Sequence, residues 1–471
     1  MKIVVVGGGI GGLAAAALLS RAGHRVTLLE ATERLGGKSR RIELDGQIID
    51  TGPSFLTLPG VWKEFLRRWD ALGGGNPPAA EVAALKLRRL PGLGTYYHRG
   101  GAVPLPVPEG HPWHPAWRRF EELHGPLGPE ILHLLTLHPL DRRTLPALKR
   151  LLGIYGPRLT TRSYLNGLGW LPGGLREILA IHTLNAGVSP ARTPALFASL
   201  PAVMAREGIW VPHGGVYELV RALERLCRAG GVEIFTNAPA EHLSEGEVRA
   251  AGDVYPADAV VSAVDEDRLA RLLEPGKKIP RRKMSCSGVA IYAALREGLP
   301  ENLPPHTVIL PENPDELYRN LEARTEPHQA MAFVNYYRPG EVYPQNEKPV
   351  LALLLTAPAN GREYGLERGF VRREVERVSR LLGLSGPLAE LFREYAILDP
   401  RYFGAWGSPG GALYGPARPV WRSGPLHRPR YTDRRRPWLW RAGASVHPGG
   451  GLPAVLGGVL VSTELLLERA G

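Results

Sequence analysis

Gly7-Gly8-Gly9-Ile10-Gly11-Gly12 satisfies the spacing G-x-G-x-x-G between a Val-rich stretch and an Ala-rich one. In that context each glycine has a physical task. Gly7 permits a tight turn, Gly9 lets backbone approach a pyrophosphate, and Gly12 allows a helix to lie close on a strand, with Ile10 opening the helix. The helix N-terminus then offers free N–H groups and the positive end of its dipole to an anion. Glu30 stands 18 residues after Gly12, at the end of a second apolar run, where a carboxylate can accept hydrogen bonds from a ribose. The chemistry this implies is the binding of a dinucleotide.

The residues just beyond Glu30 separate a flavin from a nicotinamide dinucleotide. A second glycine pair, Gly36-Gly37, lies close behind it and is flanked by Arg34, Lys38 and Arg40. A pyrophosphate held at one helix end gains from such a basic, backbone-accessible loop on its other side. Near the far end of the sequence, Gly443-Ala444-Ser445-Val446-His447-Pro448-Gly449-Gly450-Gly451-Leu452-Pro453 has a related logic. A glycine-rich turn lets amides reach a planar ligand, and Pro453 suits the first turn of a helix whose N-terminus faces that ligand.

The arrangement from Gly7 to Arg40 resembles the FAD-binding amine oxidase superfamily, and three segments, the closing one among them, resemble more narrowly its carotenoid desaturases of the bacterial phytoene desaturase type. Asp50-Thr51-Gly52-Pro53-Ser54 is similar to the motif those enzymes place near the flavin ring. Trp210 to Tyr217, with Pro212 and Gly214-Gly215, resembles their proline, Gly-Gly and helix segment, and Gly443 to Pro453 resembles their closing signature. The resemblance implies FAD as cofactor, with Gly52, Pro53, Ser54, Gly443, Ala444, Gly450, Gly451, Leu452 and Pro453 around it and Ala240 beside the adenine. It implies hydride transfer to the flavin from an acyclic carotenoid or related isoprenoid. Two other readings share the apparatus: an amine or porphyrinogen oxidase, and a carotenoid isomerase without net oxidation. His447, in the closing turn, is the one weak candidate for a catalytic base. No Ser-His-Asp order or metal-ligand spacing stands out, and His111, His114, His133 and His138 cluster in Pro-rich surroundings, so no metal is expected.

The elements that must position these residues can be read from periodicity. Strand, turn, helix and strand are expected over 2–30, a helix over 216–229 leads into a strand over 232–235, and a strand over 437–441 precedes the closing helix. The expected fold is α/β, with a discontinuous Rossmann-type FAD-binding domain formed by 1–70, 206–265 and 431–471. A helical cap over 71–205, facing a membrane if the substrate is lipophilic, and an α+β substrate domain with a sheet over 266–430 are inserted between its pieces. Trp113, Trp117, Phe120, Trp170, Phe197, Trp210, Phe403 and Trp406 are candidates to line an apolar tunnel.

Composition bounds the partners. The 471 residues are 44% hydrophobic and 22% charged, which excludes a disordered chain. Two cysteines, Cys227 and Cys286, far apart, provide no disulfide framework and fit a reducing, cytoplasmic setting. The opening Met1-Lys2 and apolar run superficially resemble a signal peptide, but glycines stand where a signal core has leucine. A net charge of +12 calls for an acidic partner. With a lipophilic substrate, the basic stretch Arg428, Arg430 and Arg434 to Arg436 is better matched to anionic headgroups on the inner face of the cell membrane than to nucleic acid.

Overall fold

The computed structural model describes residues 1–74, 76–280, 282–422 and 424–470. Five parallel strands, Lys2–Val6, Arg25–Leu29, Glu233–Phe235, Ala259–Ser262 and Arg436–Arg441, come together from widely separated parts of the sequence. Across the sheet they run 233–235, 25–29, 2–6, 259–262, 436–441, which is 3-2-1-4-5 in chain order, with Thr432–Asp433 antiparallel at one edge. In this doubly wound order a ligand site lies beyond the carboxyl ends of the strands where the order reverses, here between 2–6 and 259–262. Register is tight: Val6 faces Leu29 on one side and Ser262 on the other. Ile3 to Val6 are at most 2% exposed, the continuous apolar run expected when helices cover both faces of a parallel sheet.

Helix Ile10–Arg21 packs against helix Tyr217–Ala229 and the closing helix Leu452–Ala470. Its Ala14 to Ala17 are 0% exposed. Small side chains allow this close approach, and a helix apolar all round is one buried on all sides.

A second sheet has seven strands, in the order 392–398, 287–295, 350–357, 332–337, 306–309, 94–98, 101–105. Strand Ser287–Leu295 is buried at every position because its two faces serve two cores. Val289, Ile291, Ala293 and Leu295 pack under helix Gly369–Leu381, while Ala290, Tyr292 and Ala294 face the main core. The hairpin Gly94–His98 and Gly101–Leu105 departs from the helical expectation for 71–205, since it joins this sheet parallel to His306–Ile309. The Tyr96-Tyr97 pair favours strand, and Arg99 and Gly100, both at positive φ, close the turn. Helices His114–His124, Gly128–Thr136, Leu145–Tyr155, Gly173–Ile181 and Leu200–Glu207 occupy much of the rest of that stretch. Among the described residues no helix is long and apolar enough to cross a membrane.

Candidate flavin site

The glycine motif sits where the parallel sheet ends. Gly7 has φ +102, and a Cβ on Gly12 would fall 1.8 Å from the Gly7 carbonyl oxygen, so neither position admits a side chain. Helix Ile10–Arg21 starts with no side-chain cap and no acidic residue in its first turn. That donor set, backbone amides at a positive helix end, fits a pyrophosphate. Glu30, 5% exposed, is fixed beside it. Its carboxylate accepts from the Gly8 N–H at 2.8 Å and from the Thr32 N–H and hydroxyl at 2.9 and 2.8 Å. A carboxylate has about four acceptor sites, which leaves one for a sugar hydroxyl.

The second glycine pair folds back onto the first. The Gly36 N–H donates to the Gly8 carbonyl at 2.8 Å, and a Cβ on Gly9 would lie 3.8 Å from the Gly37 Cα. The three cations of this loop are engaged with protein groups. Arg34 is exposed beside Glu33, Lys38 pairs with Asp265 at 2.9 Å, and Arg40 donates to Gly37 and Thr32 with its guanidinium 4.3 Å from the Trp406 ring centroid. From the other end of the sequence Gly443 arrives at φ +81, and a Cβ on Gly11 would stand 2.8 Å from its Cα. The opening and closing motifs are thus in backbone contact. Ala444 and Ser445 continue into a narrow cleft shared with Asp265, Ser408 and Tyr414. Gly450 lies against Tyr414, Gly451 has φ +96, and Leu452 and Pro453 begin the closing helix.

The remaining motifs meet at a second, narrow cleft, lined by Asp50, Pro53, Ser54, Gly215, Asn335 and Tyr343 among others. Strands Arg40–Leu44 and Gln47–Thr51 form a hairpin around Asp45-Gly46 that sets Arg41 directly opposite Asp50. Arg41 Nε donates to Asp50 at 2.7 Å, Nη1 to Glu218 at 3.1 Å, and Nη2 to the Gly214 carbonyl. The Asp50 carboxylate also accepts from the Tyr217 N–H at 2.9 Å, and a Cβ on Gly215 would lie 2.2 Å from it. Gly214-Gly215 is therefore the gap that admits the carboxylate. Burial pushes the Asp50 carboxyl up against the pull of Arg41, whose own pKa is raised by its two acidic partners despite burial. Gly52, at φ +114, donates to the Tyr292 hydroxyl at 3.1 Å, and Asn335 bridges Ser54 (2.8 Å) to His306 (2.7 Å). Tyr217 ties the two clefts together by donating to the Leu35 carbonyl at 3.1 Å.

Residues 10–295 match the family described as flavin containing amine oxidoreductase. The chain belongs to that family. It is an FAD-dependent oxidoreductase, and the backbone cradle of Gly7 to Gly12 fits that cofactor. Over 99% of its length it is 28% identical to a zeta-carotene-forming phytoene desaturase of Myxococcus xanthus, covering 93% of that protein. It is 26% identical, again over 99%, to a 4,4'-diapolycopen-4-al dehydrogenase of Metabacillus indicus, covering 97% of it. Among solved structures it resembles wild-type putrescine oxidase bound to putrescine, with a TM-score of 0.64 and 17% identity, covering 100% of this chain and 99% of that one. At that identity the likeness concerns the fold.

Other expected residues fall elsewhere. His447 lines neither cleft. Its ring lies 5.7 Å from that of His427, and burial lowers its pKa to about 4. Ala240 opens the strand Ala240–Ser244, paired with Ala250, while Ala238, two residues earlier, donates to the Glu30 carbonyl at 2.8 Å. Of the aromatic candidates, Trp117 and Phe120 are core, Trp113 packs near His98 and His111, and Trp406 stacks on Arg40. In the basic stretch, Arg436 pairs with Glu274 at 2.6 Å, and Tyr431 and Trp440 are buried. Arg41, Asn335, Tyr343 and Asp265 are the residues the sequence reading missed. Only Arg41 had a signal, because Asp45-Gly46 is a hairpin turn that sets it across from Asp50.

Proposed function

We propose that this protein desaturates an acyclic carotenoid or related isoprenoid. The observation that carries the reading is the near full-length relation to a phytoene desaturase, which covers 99% of this chain. Bound FAD supplies a two-electron acceptor, so that two hydrogens leave adjacent carbons as a double bond forms. The protein's part is placement. Amides of Gly9 to Gly12 hold the pyrophosphate with Gly36-Gly37 and Lys38 opposite, Glu30 the ribose and Ala240 the adenine. Gly52 to Ser54, Gly443-Ala444 and Gly450 to Pro453 surround the ring. The FAD domain comprises 1–70, 206–265 and 431–471, with 71–205 and 266–430 receiving substrate.

The amine reading is disfavoured by Asp50. Its carboxylate is already matched by Arg41 and the Tyr217 N–H, so it has no charge to offer an ammonium group. The test is incubation of the FAD-loaded protein with phytoene and 4,4'-diapophytoene in lipid vesicles, read by product mass. Loss of two hydrogens per new double bond is expected. Unchanged mass with altered geometry would indicate an isomerase, and peroxide release with simple amines would indicate an amine oxidase.

A further inference from the structure

Large apolar side chains left exposed among the described residues are mostly scattered, except in one segment. Leu140, Leu145, Leu148, Leu152 and Leu159 all point to solvent, with Leu140, Leu152 and Leu159 exposed by 72%, 64% and 65%. Leu145, Leu148 and Leu152 are spaced i, i+3, i+7 on helix Leu145–Tyr155 and share a face. Ala147, Leu151 and Tyr155, on the adjoining face, fix the helix to the body of the protein. Core packing accounts for that second set and leaves the first without a partner. A contiguous exposed leucine face of this kind marks an interaction surface.

Its surroundings say what it meets. Between residues 137 and 160 there are five cations, Arg142, Arg143, Lys149, Arg150 and Arg158, against one acid, Asp141. Arg143 pairs with Asp141 and Arg150 with Glu130. Among the described residues Arg142, Lys149 and Arg158 form no ion pair, and all three are exposed. Exposed leucines interspersed in sequence with free, exposed cations match the boundary of an anionic bilayer, where apolar side chains enter the acyl layer while Lys and Arg reach headgroups. A second copy of the same face would bring like charges together.

We infer that helix Leu145–Tyr155, with Leu140 and Leu159 at its ends, is the surface by which this protein seats on an anionic lipid bilayer. The inference deepens the carotenoid reading, since a hydrocarbon substrate is stored in lipid. Helix Leu145–Tyr155 packs on helix Gly128–Thr136, which packs on the closing helix. There a Cβ on Gly457 would come 2.3 Å from the Leu135 carbonyl. The lipid face and the start of the closing helix at Leu452 thus belong to one stack of helices.

The test is co-sedimentation of the FAD-loaded full chain with vesicles of phosphatidylcholine, with and without phosphatidylglycerol. Binding is expected to the mixed vesicles. Leu148→Ser with Leu152→Ser should weaken it about tenfold or more, and Arg142→Ser with Lys149→Ser should remove the preference for phosphatidylglycerol. Flavin absorbance and melting temperature should stay unchanged in both variants, which lie outside the core. Unaltered binding in the leucine variant overturns the inference. So does loss of binding on neutralising Arg434 and Arg435 instead, or a dimer that the leucine variant dissolves without vesicle binding in the parent. Substrate and turnover play no part in this measurement, so its failure would leave the desaturase reading standing, and failure of desaturation would leave the lipid surface standing.

Discussion

The glycine cradle and the cleft beside Asp50 are built from different materials. The cradle at the end of the parallel sheet is made of backbone: Gly7, Gly9, Gly11, Gly12, Gly36 and Gly443 approach one another so closely that several could not carry a Cβ. The cleft under the seven-stranded sheet is made of side chains drawn from residues 41 to 343, joined by hydrogen bonds among Arg41, Asp50, Ser54, His306 and Asn335. The first is specified by steric exclusion and the second by mutual satisfaction of buried polar groups. They should therefore fail in different ways.

The largest effect is expected at Gly12. Gly12→Ala places a methyl 1.8 Å from a backbone oxygen, a cost beyond the ~1–3 kcal/mol of ordinary overpacking, and soluble folded protein should not be recovered. Asp50→Ala should fold but lose about 3 kcal/mol in urea unfolding, because it strips the main partner from a buried guanidinium. Gly9→Ala sharpens the contrast within the backbone cradle. Its Cβ meets only ordinary contacts, so the melting temperature of flavin-free protein should hold. FAD affinity should meanwhile fall about tenfold to a hundredfold, measured by flavin fluorescence. An Asn335→Ala variant leaves Ser54 and His306 without their shared partner and should cost about 1–3 kcal/mol in the same unfolding assay, with a smaller loss of FAD affinity than Gly9→Ala. Equal loss of flavin in the Asn335 and Gly9 variants would erase the distinction between cradle and cleft.

The smallest effect is in acid. Burial lowers His182 to about 3 and His306 to about 4 from an ordinary 6.5. Between about pH 6.5 and pH 4 the unfolded chain then holds more protons than the folded one, so stability falls as pH falls through that window. Replacing His306 by Asn should flatten the slope of melting temperature against pH there. A slope unchanged by that variant would place acid sensitivity elsewhere.

The same contrast decides what could be read beforehand. Glycines required by close backbone approach are visible as letters, so the turn at Gly7 to Gly12, the loop at Gly36-Gly37 and the closing signature were legible with the parallel strands around them. Asn335 and Tyr343 were not, since nothing in a plain strand or a Pro-rich turn says which distant group its side chain will meet. The orientation of His447 was not legible for a related reason: its position in the glycine-rich turn is visible, but that its ring stands 5.7 Å from that of His427 is not. The hairpin 94–105 was hidden inside text rich in Pro, Arg and Leu, where pairing to His306–Ile309 overrides local appearance.

The contact between Gly11 and Gly443 also sets a schedule for manufacture. The parallel sheet takes its first strand from residues 2–6 and its fifth from 436–441, and at about 5–20 residues per second a ribosome needs roughly 20–90 s to pass from one to the other. Throughout that interval the early glycine turn exists without the backbone that closes it. Closure of the cradle therefore waits until the residues around Gly443 have been made.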